Sequence, residues 1–298
     1  MTARPTPTTS GRRRLLTGLY RRPRLQVLLL LAPPAGWFGV VYLGSLALLL
    51  VTAFWTFDGI TGRVVQHWTL DNFVQLITQP AWRAVAQLTL VFAIAVTIAD
   101  IVIAFPIAYF MAQVAGRRSR SVLFMLCLLP LWASYLVRVY AWRVILSPNG
   151  PLDWALGLVG LKPAGLYPSD LGVGIVFTYL WLPYMILPLY AGLERVPRSL
   201  LEASADLGAR GPTTFRRIVL PLVLPALAAG SIFTFSLTLG DYITPGLVAK
   251  SPFIGTVVFE QQGVAGNLPL AAAFAFVPVG IMAIYLLVAR RLGAFEAL

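Results

Sequence analysis

Long apolar runs separated by short polar stretches dominate this chain. Six stand out, at roughly 28–56, 82–113, 121–146, 171–193, 218–240 and 269–289. About 20 apolar residues in a helix cross the hydrocarbon of a bilayer, and longer runs tilt or project beyond it. The pattern predicts an all-α, polytopic membrane protein with six transmembrane helices.

The polar stretches organise the rest. Residues 1–24 are rich in Thr, Pro and Arg without apolar periodicity, which predicts a disordered basic tail near anionic headgroups. A cleaved signal peptide is the rival reading. The apolar stretch resumes after Pro33-Pro34 and runs to Phe57, which favours an uncleaved first span and one transmembrane domain over 25–298. Residues 57–81 form a loop in which Thr69–Leu76 reads as a capped interfacial helix. Trp55, Trp68 and Trp82 near span ends fit an aromatic belt. The Pro- and Gly-rich residues 147–170 and the segment 241–268 are further loops.

Composition sharpens the membrane reading. The chain is 58% hydrophobic and 11% charged, against about 25% charged in soluble domains. The net charge of +12 sorts by loop. Arg4, Arg12, Arg13, Arg14, Arg21, Arg22 and Arg24 precede the first span, and Arg117, Arg118 and Arg120 separate the second from the third. Arg195, Arg198, Arg210, Arg216 and Arg217 separate the fourth from the fifth, and Arg290 and Arg291 follow the sixth. Both termini and the loop at 194–217 are therefore expected in the cytoplasm. Nucleic-acid binding is disfavoured, because the charge lies at span ends with no aromatic-interleaved patch. Cys127 and His67 are the only residues of their kinds and lie far apart, which speaks against a zinc site or a Cys-His nucleophile. No catalytic constellation is legible.

Polar residues inside the apolar runs are the remaining candidates. Asp100 sits near the middle of the second span, where a carboxylate needs a partner or water. It is either a functional site or a structural pair. Tyr135, Arg138 and Trp142 form a polar and aromatic stripe at the end of the third span. The stripe faces an aqueous path, or it is an interfacial belt with a snorkelling Arg138. Pro183 and Pro188 predict a kinked or unwound fourth span. In Gly240-Asp241-Tyr242-Ile243-Thr244-Pro245, Asp241 lies at a helix end and strengthens a spot that attracts cations.

The most informative stretch is the charged island between the fourth and fifth spans. Arg198, Glu202 and Asp206 share a helical face, and Arg198 can pair with Glu202. Pro197 suits the first turn and Gly208 the residue past the last. An amphipathic linker helix would explain this much. The spacing carries more: Glu202-Ala203-Ser204, three residues, Gly208, nine residues, then Ile218, Leu220 and Pro221. This resembles the cytoplasmic loop of ABC importer permeases, with Ser204 departing from the family's second Ala. The stretches from Ser134 to Trp142 and from Gly240 to Pro245 look like the spermidine/putrescine-type branch.

The resemblance implies a type I importer permease fold in a bacterial inner membrane. It implies a coupling role for Glu202, Ala203, Ser204, Asp206 and Gly208, and a substrate path past Asp100, Tyr135, Arg138, Trp142, Asp241 and Tyr242. It further implies a second homologous permease subunit, a pair of ATP-binding subunits and an extracytoplasmic substrate-binding protein. No Gly-x-x-x-x-Gly-Lys-Ser/Thr loop occurs, so ATP and Mg are expected on the partner ATPase, with no cofactor or metal on this chain. Asp241, Tyr135, Tyr242 and Trp142 suit a polyamine through charge pairing and cation–π contact. Arg138 does not; it neutralises Asp100 or Asp241, or it binds an anionic solute. Iron, phosphonate or opine uptake by the same kind of permease is the alternative. An ion-coupled secondary transporter, which should show inverted repeats, and a membrane enzyme or scaffold are the readings from other classes.

Overall fold

The computed structural model describes residues 23–291. Residues 1–22 of the expected tail lie outside the described residues. The chain divides into two compact units at Thr52 and Ala53. The first contributes one apolar rod: α1 (Pro23–Trp37), a π-helical segment (Phe38–Leu43) and α2 (Gly44–Thr52). This span ends at Thr52 instead of the expected 56, because strand β1 (Thr56–Asp58) pairs antiparallel with β2 (Arg63–Val65).

The second unit begins with that ribbon and α3 (Asp71–Thr78), a short helix close to the one expected over 69–76. Thr69 Oγ1 accepts from the Asp71 amide at 3.1 Å. Asn72 is buried and donates to the carbonyls of Ala53 and Trp55 at 2.9 and 2.8 Å. Next come α4 (Pro80–Tyr109), a π-helical segment (Phe110–Val114), α5 (Arg117–Trp132), α6 (Tyr135–Leu146) and α7 (Pro151–Leu158). Helix α8 (Asp170–Glu194) leads to α9 (Arg198–Asp206), α10 (Gly211–Thr214), a π-helical segment (Phe215–Val219) and α11 (Leu220–Gly240). Helices α12 (Ile243–Val248), α13 (Ile254–Gly263) and α14 (Leu268–Arg291) complete the described chain.

Five helical stretches are long and apolar enough to cross a membrane, and a sixth crossing requires α5 and α6 to be one span. The expected continuous span at 121–146 is corrected here, since α5 and α6 meet at 93°. Pro130 removes a backbone donor in the last turn of α5. Ala133 and Ser134 are extended, and the Ser134 carbonyl accepts from the Arg138 amide at 3.1 Å to start α6. The break expected in the fourth span does not occur there. Helix α8 runs unbroken through Pro183 and Pro188, sheathed by neighbours along its length.

Helix α8 packs between α4 and α11, and those two also touch each other. One buried cluster contains Ala104, Met111, Met185, Leu189, Leu193 and Val223; another contains Val139, Val173, Phe177, Leu180, Val248 and Phe253. Small residues set the spacing, as is usual where lipid supplies no hydrophobic drive between helices. A Cβ on Gly192 would lie 2.4 Å from Ala226 Cβ. Gly192→Ala is therefore expected to cost about 1–3 kcal/mol through overpacking, read as a lower unfolding midpoint in detergent. Ala226→Gly in the same chain should restore most of the loss. An undisturbed midpoint in the single variant would show that α8 and α11 separate freely.

Candidate functional site

Two places bring the candidate residues together, the α8–α11 connection and the junction of α6 with α12. In the connection, Pro197 occupies the cap position with extended backbone, one residue ahead of the first turn. The C-terminus of α9 is closed by backbone bonds. Ala209 N donates to Ser204 O at 3.0 Å and Gly208 N to Ala205 O at 2.8 Å. Gly208 holds φ +73°, the left-handed conformation this closure requires. Ser204 is buried, and its hydroxyl lies 2.8 Å from that of Thr214. The serine is thus more than a small residue; it ties α9 to α10. Glu202, Ala203 and Asp206 are exposed on the remaining faces, and Leu207 is 88% exposed.

The expected Arg198–Glu202 pair is not formed. Arg198 Nη2 instead lies 3.5 Å from the Gln113 carbonyl. Arginine on the N-terminal side of glutamate is the weaker orientation, and an exposed ion pair contributes at most about 1 kcal/mol. The root of the loop is fastened by residues the sequence did not single out. Arg120 donates to the carbonyls of Met111 and Ala112 at 3.1 and 3.0 Å and pairs with Glu194 at 3.1 Å. Gln113 Nε2 donates to Leu193 O at 2.7 Å. In the sequence Arg120 is one inside charge among many, since Glu194 lies 74 residues away and the Met111 and Ala112 carbonyls belong to the preceding span. An apolar groove of about 570 Å³ runs beside the loop, lined by Phe105, Tyr109, Leu201, Ala205 and Phe215 among others.

At the second place, the Tyr135 hydroxyl donates to Asp241 Oδ2 and lies 2.7 Å from Thr244 Oγ1. Asp241 Oδ1 accepts from the Ile243 amide at 2.9 Å, so the same carboxylate opens α12. The Tyr135 ring stacks on Trp181 of α8, centroids 5.8 Å apart. The Arg138 guanidinium carbon lies 5.9 Å from the Tyr135 centroid. Trp181 and Thr244 are not among the candidates, because only the fold brings them to Tyr135.

Three expectations about this site are corrected. Arg138 pairs with neither Asp100 nor Asp241; the Arg120–Glu194 contact is the one ion pair within 4.0 Å among the described residues. Asp241 is engaged by Tyr135 and Ile243, while Arg138 lies toward the tyrosine ring. Asp100 is not part of the cluster: it is fully buried within the α4 packing, and neither carboxyl oxygen has a hydrogen-bond partner among the described residues. The stripe itself divides. Trp142 packs on Tyr179 at 5.2 Å. Tyr242, 44% exposed, stacks on Phe259 at 5.0 Å beside a cavity of about 380 Å³. Among the described residues no group of His, Cys, Asp and Glu gathers as a metal site.

This geometry can attract a cation at Asp241 and present aromatic faces to it, and it can offer α9 to a partner. Residues 104–295 match the family described as binding-protein-dependent transport system inner membrane component. The chain is 46% identical to the inner membrane ABC transporter permease protein YdcU of Escherichia coli (strain K12), covering 98% of this chain and 97% of that protein. It is 33% identical to the spermidine/putrescine transport system permease protein PotB of the same organism, covering 86% and 94%. The fold matches a bacterial alginate ABC transporter in complex with an alginate pentasaccharide-bound periplasmic protein, with TM-score 0.70, 18% identity and coverage of 93% and 96%. The secondary-transporter and membrane-enzyme readings fall away. The chain belongs to the family of binding-protein-dependent transport system inner membrane components and is a permease subunit of an ABC importer, a transport subunit and not an enzyme.

Proposed function

We propose that this permease carries polyamines, spermidine or putrescine, into the cytoplasm. The observation that carries the reading is the Asp241 carboxylate bonded to Tyr135, whose ring stacks on Trp181, a carboxylate and aromatic set suited to an organic ammonium. The identity to PotB adds weight to it. A second homologous permease subunit completes the path, and a substrate-binding protein delivers the solute from outside. ATP and Mg are bound by a separate pair of ATPase subunits, which engage the exposed face of α9. Closure of the ATPase pair moves α9, and the hydrogen bonds of Ser204, Arg120 and Gln113 pass that movement to the spans.

Cells expressing the complete transporter are expected to take up labelled spermidine, with excess putrescine competing. Absence of uptake by a complex whose ATP hydrolysis still responds to its binding protein would overturn the polyamine assignment.

A further inference from the structure

The segment that joins α9 to α11 has two unlike faces. Gly211, Thr214, Phe215 and Val219 line the apolar groove beside the loop. The intervening Pro212, Thr213, Arg216 and Arg217 line a separate cavity of about 470 Å³. Positions three and four apart share a helical face, so the sequence sorts the groove-lining groups to one side and both guanidiniums to the other. Both arginines are exposed, and neither makes an ion pair among the described residues. Two like charges beside one cavity repel each other, and an anion held between them offsets that repulsion.

The depth of the cavity in the membrane narrows the kind of anion. The apolar stretch Gly211–Gly240 has 30 residues, roughly 45 Å of helix against about 30 Å of hydrocarbon. Its ends therefore reach the headgroup layers, and the sorting of arginine puts the Arg216–Arg217 end on the cytoplasmic side. That leaflet carries a negative surface potential. A phosphodiester presents paired oxygens that match the arginine fork. The ATPase subunit is a poorer match. The α9 face proposed to engage it carries Glu202 and Asp206, and a surface complementary to those carboxylates repels Arg216 and Arg217.

We infer that Arg216 and Arg217 bind the phosphodiester of an anionic phospholipid from the cytoplasmic leaflet. The site does not depend on which solute is carried. It lies on the link between α9 and the span, because Thr214 of the same segment holds the 2.8 Å hydroxyl contact to Ser204. A headgroup bound here steadies that link when α9 moves. This consequence, unlike the site, rests on the coupling role proposed for α9.

The complete transporter, purified and offered an equal mixture of phosphatidylglycerol and phosphatidylcholine, tests the site by native mass spectrometry of the bound lipid. Wild type is expected to retain phosphatidylglycerol preferentially. Arg216→Gln combined with Arg217→Gln should lower that preference at least about tenfold, since each basic side chain at such a surface contributes about fivefold. Arg290→Gln combined with Arg291→Gln removes the same charge at the end of α14, away from the cavity, and should leave the preference near wild type. Arg216→Lys combined with Arg217→Lys keeps the charge that directs insertion and loses only the planar fork. A loss of about threefold is expected there, and this pair stands in if the glutamine variant fails to insert. An equal loss in the Arg290 and Arg291 variant would reduce the effect to overall charge and overturn the inference. Displacement of the lipid by inorganic phosphate at equal concentration would assign the cavity to a free anion and overturn it too. So would a glutamine variant that keeps its lipid preference but no longer copurifies with the ATPase, which would give the cavity to that subunit. In proteoliposomes, ATP hydrolysis stimulated by loaded binding protein should rise with the phosphatidylglycerol fraction in wild type and not in the glutamine variant. A flat wild-type response with the lipid still bound would overturn the role in coupling and leave the site standing.

Discussion

Glu202→Lys is expected to lower solute uptake by the complete transporter at least about tenfold, with stimulated ATP hydrolysis lost and the permease still inserted and assembled. The side chain is exposed and makes no ion pair among the described residues, so reversing its charge leaves α9 folded. The helix is held instead from its buried side by Ser204 and at its end by the Gly208 closure. What changes is the exposed face of α9, which the proposed function assigns to the ATPase subunit. Placing like charges together at an interface costs several kcal/mol, and about 1.4 kcal/mol is already tenfold in affinity. The measurement is ATP hydrolysis with and without loaded binding protein, alongside copurification of the ATPase. Stimulation at the wild-type level would remove Glu202 from the docking face.

The spans and the loop were legible in the sequence because each rests on local information. Hydropathy marks a membrane helix from its own residues, and the Gly208 closure needs a glycine where the helix ends. The 93° break between α5 and α6 was not legible in that way. Pro130 lies at the end of a run whose hydropathy continues through Ala133 and Ser134, while two prolines in α8 gave a stronger break signal. In α8 the neighbouring helices hold the backbone in place, so tertiary packing outweighed the local rule. Side-chain partners were legible only where both lay on one helix, and even there Arg198 chose the Gln113 carbonyl over Glu202. The Tyr135–Asp241 bond joins residues 106 apart, and nothing in either local stretch names the other. Because membrane charges are usually paired, the sequence offers Arg138 a choice between Asp100, Asp241 and an anionic solute. The isolation of Arg138 is a property of the assembled fold.

Asp241→Asn is expected to reduce uptake of a cationic solute at least about tenfold while leaving the amount of assembled transporter near wild type. Asparagine keeps an oxygen that can accept from the Ile243 amide, so the start of α12 is preserved. Its amide can donate to the Tyr135 oxygen, which reverses that bond without emptying the position. The variant therefore isolates charge from geometry. Losing a charge-assisted contact to an ammonium costs about 1.5–3 kcal/mol, which is about tenfold or more. Asp241→Ala removes both the charge and the α12 contact, and it should lower uptake and assembly together. Initial rates of labelled spermidine uptake, normalised to permease in the membrane, separate the two. Unchanged kinetics in Asp241→Asn would mean that the carboxylate serves only to join α6 to α12, and the cation would have to be held elsewhere on the path.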